Sequence, residues 1–181
     1  MDVEHHVING RNLYIIHNVL SAEVCSRIIR ESEASKPLGK VLNTPSSYYR
    51  ISFNNSGILS TIIDAVKSYV PLTGSEIFFE DELRYNKYFV GDFIGIHQDT
   101  FAITIGKKMA HTINIYLNDN FEGGDTVFYN DRSGGEVFRV KPRTGTAVIF
   151  DCMIFHSGEK IIRGTKSIIR ANVYQRNWYW C

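Results

Sequence analysis

The sequence predicts an α+β domain, with helices bracing a sandwich or open barrel of strands. Three observations carry that reading. Two segments before Pro71 place apolar residues at helical spacing, later segments alternate with period two, and Gly-rich turns separate them. No repeat, low-complexity run or linker divides the 181 residues. One domain is expected over 1–181, with helical support over 1–75 and the strand-rich part over 76–181.

Leu13 to Val19 reads as a strand. Ser21 is an N-cap, since its hydroxyl suits a free N–H of a first turn. Ala22 to Ser32 then forms a helix with Val24, Ile28 and Ile29 on one face. The polar residues Lys36 to Ser47 read as a loop and Tyr48 to Phe53 as a short strand. Gly57 to Tyr69 is the second amphipathic helix, stopped before Pro71, which disfavours helix in the residue ahead of it. Strands are expected at Ile77 to Phe89, Phe93 to His97, His111 to Asn118, Asp125 to Tyr129, Glu136 to Val140, Thr146 to Phe150 and Lys166 to Gln175. Turns fall at Glu122-Gly123-Gly124, Ser133-Gly134-Gly135 and Arg143-Thr144-Gly145.

Alternation splits three strands into unlike faces. Ile113, Ile115 and Leu117 oppose Thr112, Asn114 and Tyr116. Glu82, Arg84, Asn86 and Tyr88 share one face, as do Lys166, Ile168, Arg170 and Asn172. The apolar faces suit packing under helices. Polar faces that mix aromatics with cations suit either solvent or a polar pocket.

Composition excludes little but sets the class. Hydrophobic residues make up 44% and charged residues 22%, which is ordinary for a globular protein. A net charge of +1 gives no bulk attraction to nucleic acid or membrane. No apolar run approaches the ~20 residues of a membrane span, and MDVEHHVING has the marks of no signal peptide. The 3 cysteines fit neither a metal pattern nor a disulfide framework, so a cytoplasmic location is expected.

The chemistry centres on His97-Gln98-Asp99. Residues two apart on extended chain point the same way, so imidazole and carboxylate can reach one metal. His156, 57 residues after Asp99, is the best third ligand. Two histidines and one carboxylate on one face of an octahedron leave three positions open, which suits a non-haem Fe(II) enzyme binding cosubstrate and dioxygen together. Lys166 is placed to neutralise the far carboxylate of 2-oxoglutarate, with Tyr88 adding a hydroxyl. Read singly, each residue has a plainer explanation. His97 would be a surface histidine, Lys166 a solvated strand-end lysine, Tyr88 a core aromatic, and Arg84 and Asn86 structural hydrogen-bonders.

The series is more specific than its parts. Leu83 to Asp99, LRYNKYFVGDFIGIHQD, resembles the first iron motif of prolyl 4-hydroxylase-like 2-oxoglutarate oxygenases. Ile115-Tyr116-Leu117-Asn118 with Phe121-Glu122-Gly123-Gly124-Asp125-Thr126 resembles their next strand and hairpin. Lys141 to Phe150 with His156-Ser157-Gly158, then Gly164-Thr165-Lys166, resembles the distal histidine and cosubstrate end. The resemblance implies a double-stranded β-helix (jelly roll, cupin-like) braced by N-terminal helices. It implies iron on His97, Asp99 and His156, and Lys166 on the C5 carboxylate with Tyr88 and Tyr116 assisting. Asp125 stands where relatives more often carry Glu. Arg170 is a candidate for the C1 carboxylate, for a substrate anion, or in place of Lys166 for C5. Arg84 and Asn86 are candidate substrate contacts.

The implied reaction hydroxylates an amino-acid, peptide or small-molecule substrate, proline before others, and releases succinate and carbon dioxide. Fe(II), 2-oxoglutarate and dioxygen are the implied cofactors, with ascorbate a candidate reductant. Two rivals stand beside it. Asn86-Lys87-Tyr88 with His97-Gln98-Asp99 is similar to the arrangement in AlkB-type nucleic-acid demethylases, but their arginine-rich motif after the distal histidine is missing. A non-catalytic jelly-roll metal-binding module is the other, and the intact triad with Lys166 argues against it. Oligomeric state is not legible.

Overall fold

The structure is a computed structural model that describes residues 2–43, 46–67, 77–99, 103–104 and 107–176. Its chain begins with a hairpin, β1 (Val3–Ile8) and β2 (Arg11–Ile16), closed by a two-residue turn at Asn9 and Gly10. Both turn residues have positive φ, 50° and 74°, the geometry that Asn-Gly accommodates cheaply. Helix α1 (Ala22–Ser35) follows, and Ser21 caps it by accepting from the Val24 N–H at 3.3 Å. A second hairpin, β3 (Gly39–Asn43) and β4 (Ser46–Asn54), leads to α2 (Ser56–Val66), capped by Asn55.

The remaining strands are β5 (Ile77–Phe79), β6 (Glu82–Tyr88), β7 (Ile94–His97), β8 (Ile103–Thr104), β9 (Lys107–Tyr116), β10 (Glu122–Gly123), β11 (Thr126–Tyr129), β12 (Glu136–Val140), β13 (Ala147–Asp151), β14 (Phe155–Gly158), β15 (Ile161–Arg163) and β16 (Lys166–Arg176). They form a large sheet in the order β1-β2-β13-β9-β16-β6-β4-β3, a smaller one in the order β12-β11-β14-β7, and the pair β10-β15. Off the large sheet's main path, β5 pairs β16 and β8 pairs β9. This is the double-stranded β-helix that the sequence series implies.

Two cores account for the pattern of the strands. One lies between the helices and the outer face of the large sheet. There Cys25, Ile28, Ile58 and Ile62 meet Tyr85, Ile113 and Ile115. The other lies between the sheets and contains Leu13, Tyr116, Phe128, Val148, Phe150 and Ile168. Strand β13 contributes Ala147 and Ile149 to the first and Val148 and Phe150 to the second. Its near-continuous apolar run is what a strand buried on both faces requires.

Three expectations need correction. Residues 1–75 supply four strands as well as two helices, and those strands extend the large sheet at both ends. The polar stretch read as a loop contains β3, an edge strand on which Lys40 is exposed. The strand β14, which carries His156 after a short turn, is missing from the expected series. The expected end of the second helix at Tyr69 lies outside the described residues.

Candidate active site

The two ends of the sequence motif meet through strand pairing. β14 runs antiparallel to β7 with His156 opposite His97, so the imidazoles face each other with ring centroids 4.2 Å apart. Asp99 follows β7, and its backbone N–H donates to Cys152 O at 3.0 Å. Its carboxylate thereby lies 3.7 Å from Nε2 of each histidine. Among the described residues these three form a group whose ligand atoms all fall within 4.8 Å of one another.

Hydrogen bonds settle what those atoms can do. His97 Nδ1 lies 2.9 Å from Gly95 O, and His156 Nδ1 lies 2.9 Å from Ile154 O. A carbonyl can only accept, so each Nδ1 carries the proton and each Nε2 presents a lone pair. Burial pushes the His156 pKa down to about 4, so its ring is neutral near pH 7. Burial alone would raise the pKa of Asp99, but Arg170 and the two imidazoles reverse this and hold it well below the carboxylate range. Thr112, on β9, donates its hydroxyl to Asp99 Oδ2. Arg170, on β16, pairs with Asp99 Oδ1 at 2.8 Å. Two imidazole nitrogens and one carboxylate fit a divalent metal of the non-haem iron type.

Two chambers meet at this cluster, sharing His97 and Arg170. The inner one, about 40 Å³, is lined by Asn86, Tyr88, Asn114, Thr126, His156 and Lys166, among others. Lys166 is 4% exposed and donates to Gly124 O at 2.5 Å, with no carboxylate paired to it among the described residues. Burial pushes its pKa down to about 8, against a weaker pull upward from Asp125 and Glu159. A buried ammonium without a counter-ion is costly, and a ligand carboxylate would relieve it. The outer chamber, about 320 Å³, is lined by Arg50, Arg84, His97, Asp99 and Arg170 with other residues.

The structure thus brings His97, Asp99, His156, Lys166, Tyr88, Asn86 and Arg170 around one connected space. Tyr88 pairs with Lys166 in the sheet register and is fully enclosed. Two other expected residues border the same space and bond to side chains of the protein. The Tyr116 hydroxyl donates to Thr126 Oγ1 at 2.7 Å, and its ring lies 5.2 Å from Lys166 Nζ as part of the wall. Arg84 lines the outer chamber but is matched by Glu80 at 2.8 Å and Glu82 at 3.2 Å. Sequence reasoning gave no role to Arg50, Thr112 or Asn114. Alternation puts the last two on the pocket face of β9, which is the signal that finds them. Asn114 Oδ1 is buried without a hydrogen-bond partner.

Comparison with known proteins agrees with this geometry. The model of the 2OG-Fe(II) oxygenase superfamily matches residues 83–174, which span β6 to β16. A probable prolyl 4-hydroxylase 3 of Arabidopsis thaliana is 28% identical over 84% of this chain and 66% of the relative. Prolyl 4-hydroxylase 1 of the same plant is 25% identical over 85% and 65%. The chain therefore spans just under two thirds of the curated relatives it matches. Among solved structures, a viral collagen prolyl hydroxylase from Paramecium Bursaria Chlorella virus-1, in its 2OG complex, superposes with TM-score 0.74 at 18% identity. That match covers 93% of this chain and 99% of the other. A Trichoplax adhaerens prolyl hydroxylase, in complex with a hypoxia inducible factor peptide fragment, gives 0.69 at 15% identity over 91% and 83%.

Proposed function

The chain belongs to the 2OG-Fe(II) oxygenase superfamily, and on that premise we propose that it hydroxylates an amino-acid substrate, proline before others, at the His97–Asp99–His156 cluster. The observation that carries this is the pair of histidines whose Nδ1 protons are tied to backbone carbonyls, leaving both Nε2 atoms to share one metal with Asp99. Bound there, Fe(II) supplies the activation of dioxygen that couples loss of carbon dioxide from 2-oxoglutarate to oxidation of a substrate C–H.

The protein's own part is to bind, orient and exclude water. His97, His156 and Asp99 would hold the iron, and the Thr112 hydroxyl restrains the Asp99 carboxylate through Oδ2. Lys166 takes the C5 carboxylate of 2-oxoglutarate within a wall made by Tyr88, Tyr116 and Thr126. The inner chamber as it stands has room for about one or two waters, and Arg170 borders it while paired with Asp99. A divalent ion would compete for that carboxylate and release Arg170, so metal should precede cosubstrate. The prolyl choice rests on the named activities of the Arabidopsis relatives and on the peptide-bound neighbour.

Incubating the iron-loaded protein with 2-oxoglutarate and oxygen, alongside free amino acids, prolyl peptides and methylated oligonucleotides, tests the reading. Succinate formation with a gain of one oxygen on an amino acid or peptide is expected. Oxidation of the oligonucleotide alone would overturn the substrate assignment.

A further inference from the structure

The outer chamber holds three arginines, and their partners separate them. Arg84 is matched by Glu80 and Glu82, and Arg170 by Asp99, a pair that an ion at the cluster would open and that also borders the inner chamber. Arg50, on β4, has no carboxylate partner among the described residues. Its Nε donates to Asn86 Oδ1 at 2.9 Å, and its guanidinium lies 5.2 Å from the centroid of the Tyr48 ring. A guanidinium offers five N–H donors in a rigid fork, so most of the Arg50 fork is unspent. Burial, with Arg170 and Arg84 nearby, lowers its pKa. Folding gains little from a half-buried cation in this state. Arg50 lines the same cavity as His97 and Asp99, so whatever matches it lies beside the proposed iron ligands.

We propose that Arg50 anchors a carboxylate of the substrate, so that this chain acts on a small organic acid or on the C-terminal residue of a peptide. The inference rests on the oxygenase reading above and narrows its substrate class. A planar carboxylate matches the guanidinium fork with two parallel hydrogen bonds. An internal peptide residue with a neutral side chain brings only carbonyls and leaves the charge unmatched. Position supports the assignment, because β4 is held between β3 and β6 and the Tyr48 face limits how the guanidinium can turn.

The test uses calorimetry on the protein loaded with Mn(II) and 2-oxoglutarate, so that binding is read without turnover. The probes are L-proline and L-prolinamide, Gly-Pro and its amide, and a set of other amino acids with their amides. At least one acid should bind about tenfold or more tighter than its amide, as expected when a charge-assisted pair is lost. Binding of L-proline or of Gly-Pro tells the free acid from the peptide C-terminus. In Arg50→Met the acid-to-amide ratio should fall toward one, and in Arg50→Lys it should lie between. Equal binding of acid and amide in the wild type, an unchanged ratio in Arg50→Met, or no acid binding at all would overturn the assignment. Should Arg50→Met lose its thermal unfolding transition, the wild-type ratio and Arg50→Lys decide. A titration of the Mn(II)-loaded protein with 2-oxoglutarate, run first, separates the two readings. Its failure sinks the oxygenase reading, whereas normal 2-oxoglutarate binding with acid–amide indifference sinks only the role of Arg50.

Discussion

Two backbone carbonyls set the chemistry of the two histidines. Gly95 O and Ile154 O each fix one imidazole tautomer, and Asp99 supplies the charge between them. Replacing His97, Asp99 or His156 by Ala should therefore abolish succinate formation while a folded protein remains; a variant with near-normal turnover would not have lost a ligand. Asp99→Glu should lose roughly 100-fold, since one methylene moves the carboxylate by about 1 Å. Lys166 carries a different burden. Its pKa is near 8 in the fold and 10.5 when unperturbed, so the folded state binds fewer protons between those values. The cost of burying the ammonium is present in full below about pH 8 and is relieved as pH rises toward 10.5. Only the protonated form suits a carboxylate. The KM for 2-oxoglutarate should thus rise roughly fivefold between pH 8 and pH 9 as the competent fraction falls. Lys166→Ala should raise that KM at every pH and flatten the profile. A profile that survives in Lys166→Ala would assign the titration to another group.

At the scale of elements, β14 and β11 hold the site and the helices hold the sheet. Phe128, on β11, lies opposite His156 in register and meets Phe150 edge-on at 5.3 Å. Ile62, on α2, is equally buried but belongs to the other core. Ile62→Ala should cost about 2–5 kcal/mol of stability, and Phe128→Ala about 3–5 kcal/mol. Metal affinity should fall in Phe128→Ala and hold in Ile62→Ala, measured by titration at a temperature where both are folded. Equal metal affinity in the two would show that the Phe128 wall does not support His156. The same elements show what the sequence discloses. Long strands such as β9 and β16 are visible by alternation, and Ser21 by its hydroxyl before an apolar helix. β14 is four residues, Phe-His-Ser-Gly, and two of them have weak strand preference. β1 was within reach, since Asn9-Gly10 between two apolar runs is a strong hairpin signal. Arg50 was not, because being unpaired is a property of its neighbours in space. The hydrogen bond of Tyr116 to Thr126 and the ion pair of Arg84 with Glu80 are likewise properties of neighbours in space.

For the whole molecule, the arrangement is a large sheet with helices on one face and the chemistry on the other. No helix among the described residues is long and apolar enough to cross a membrane. Charge at the centre is matched only in part: Arg170 pairs with Asp99, while Lys166 and Arg50 have no carboxylate partner among the described residues. This predicts an order of binding. 2-Oxoglutarate should raise the thermal midpoint of metal-loaded protein clearly and that of metal-free protein little, because Arg170 leaves Asp99 only when an ion replaces it. Equal stabilisation with and without metal would contradict that coupling. The central claim is that three side chains from two neighbouring strand ends hold iron for 2-oxoglutarate oxidation. Its most direct test is succinate formation by the Fe(II)-loaded wild type beside His97→Ala, Asp99→Ala and His156→Ala, with bound iron measured in the same samples. One iron per chain and succinate formation are expected of the wild type, with loss of both in each variant. Succinate formation that persists without His156, or a wild type that binds iron and 2-oxoglutarate yet forms none, would contradict the claim.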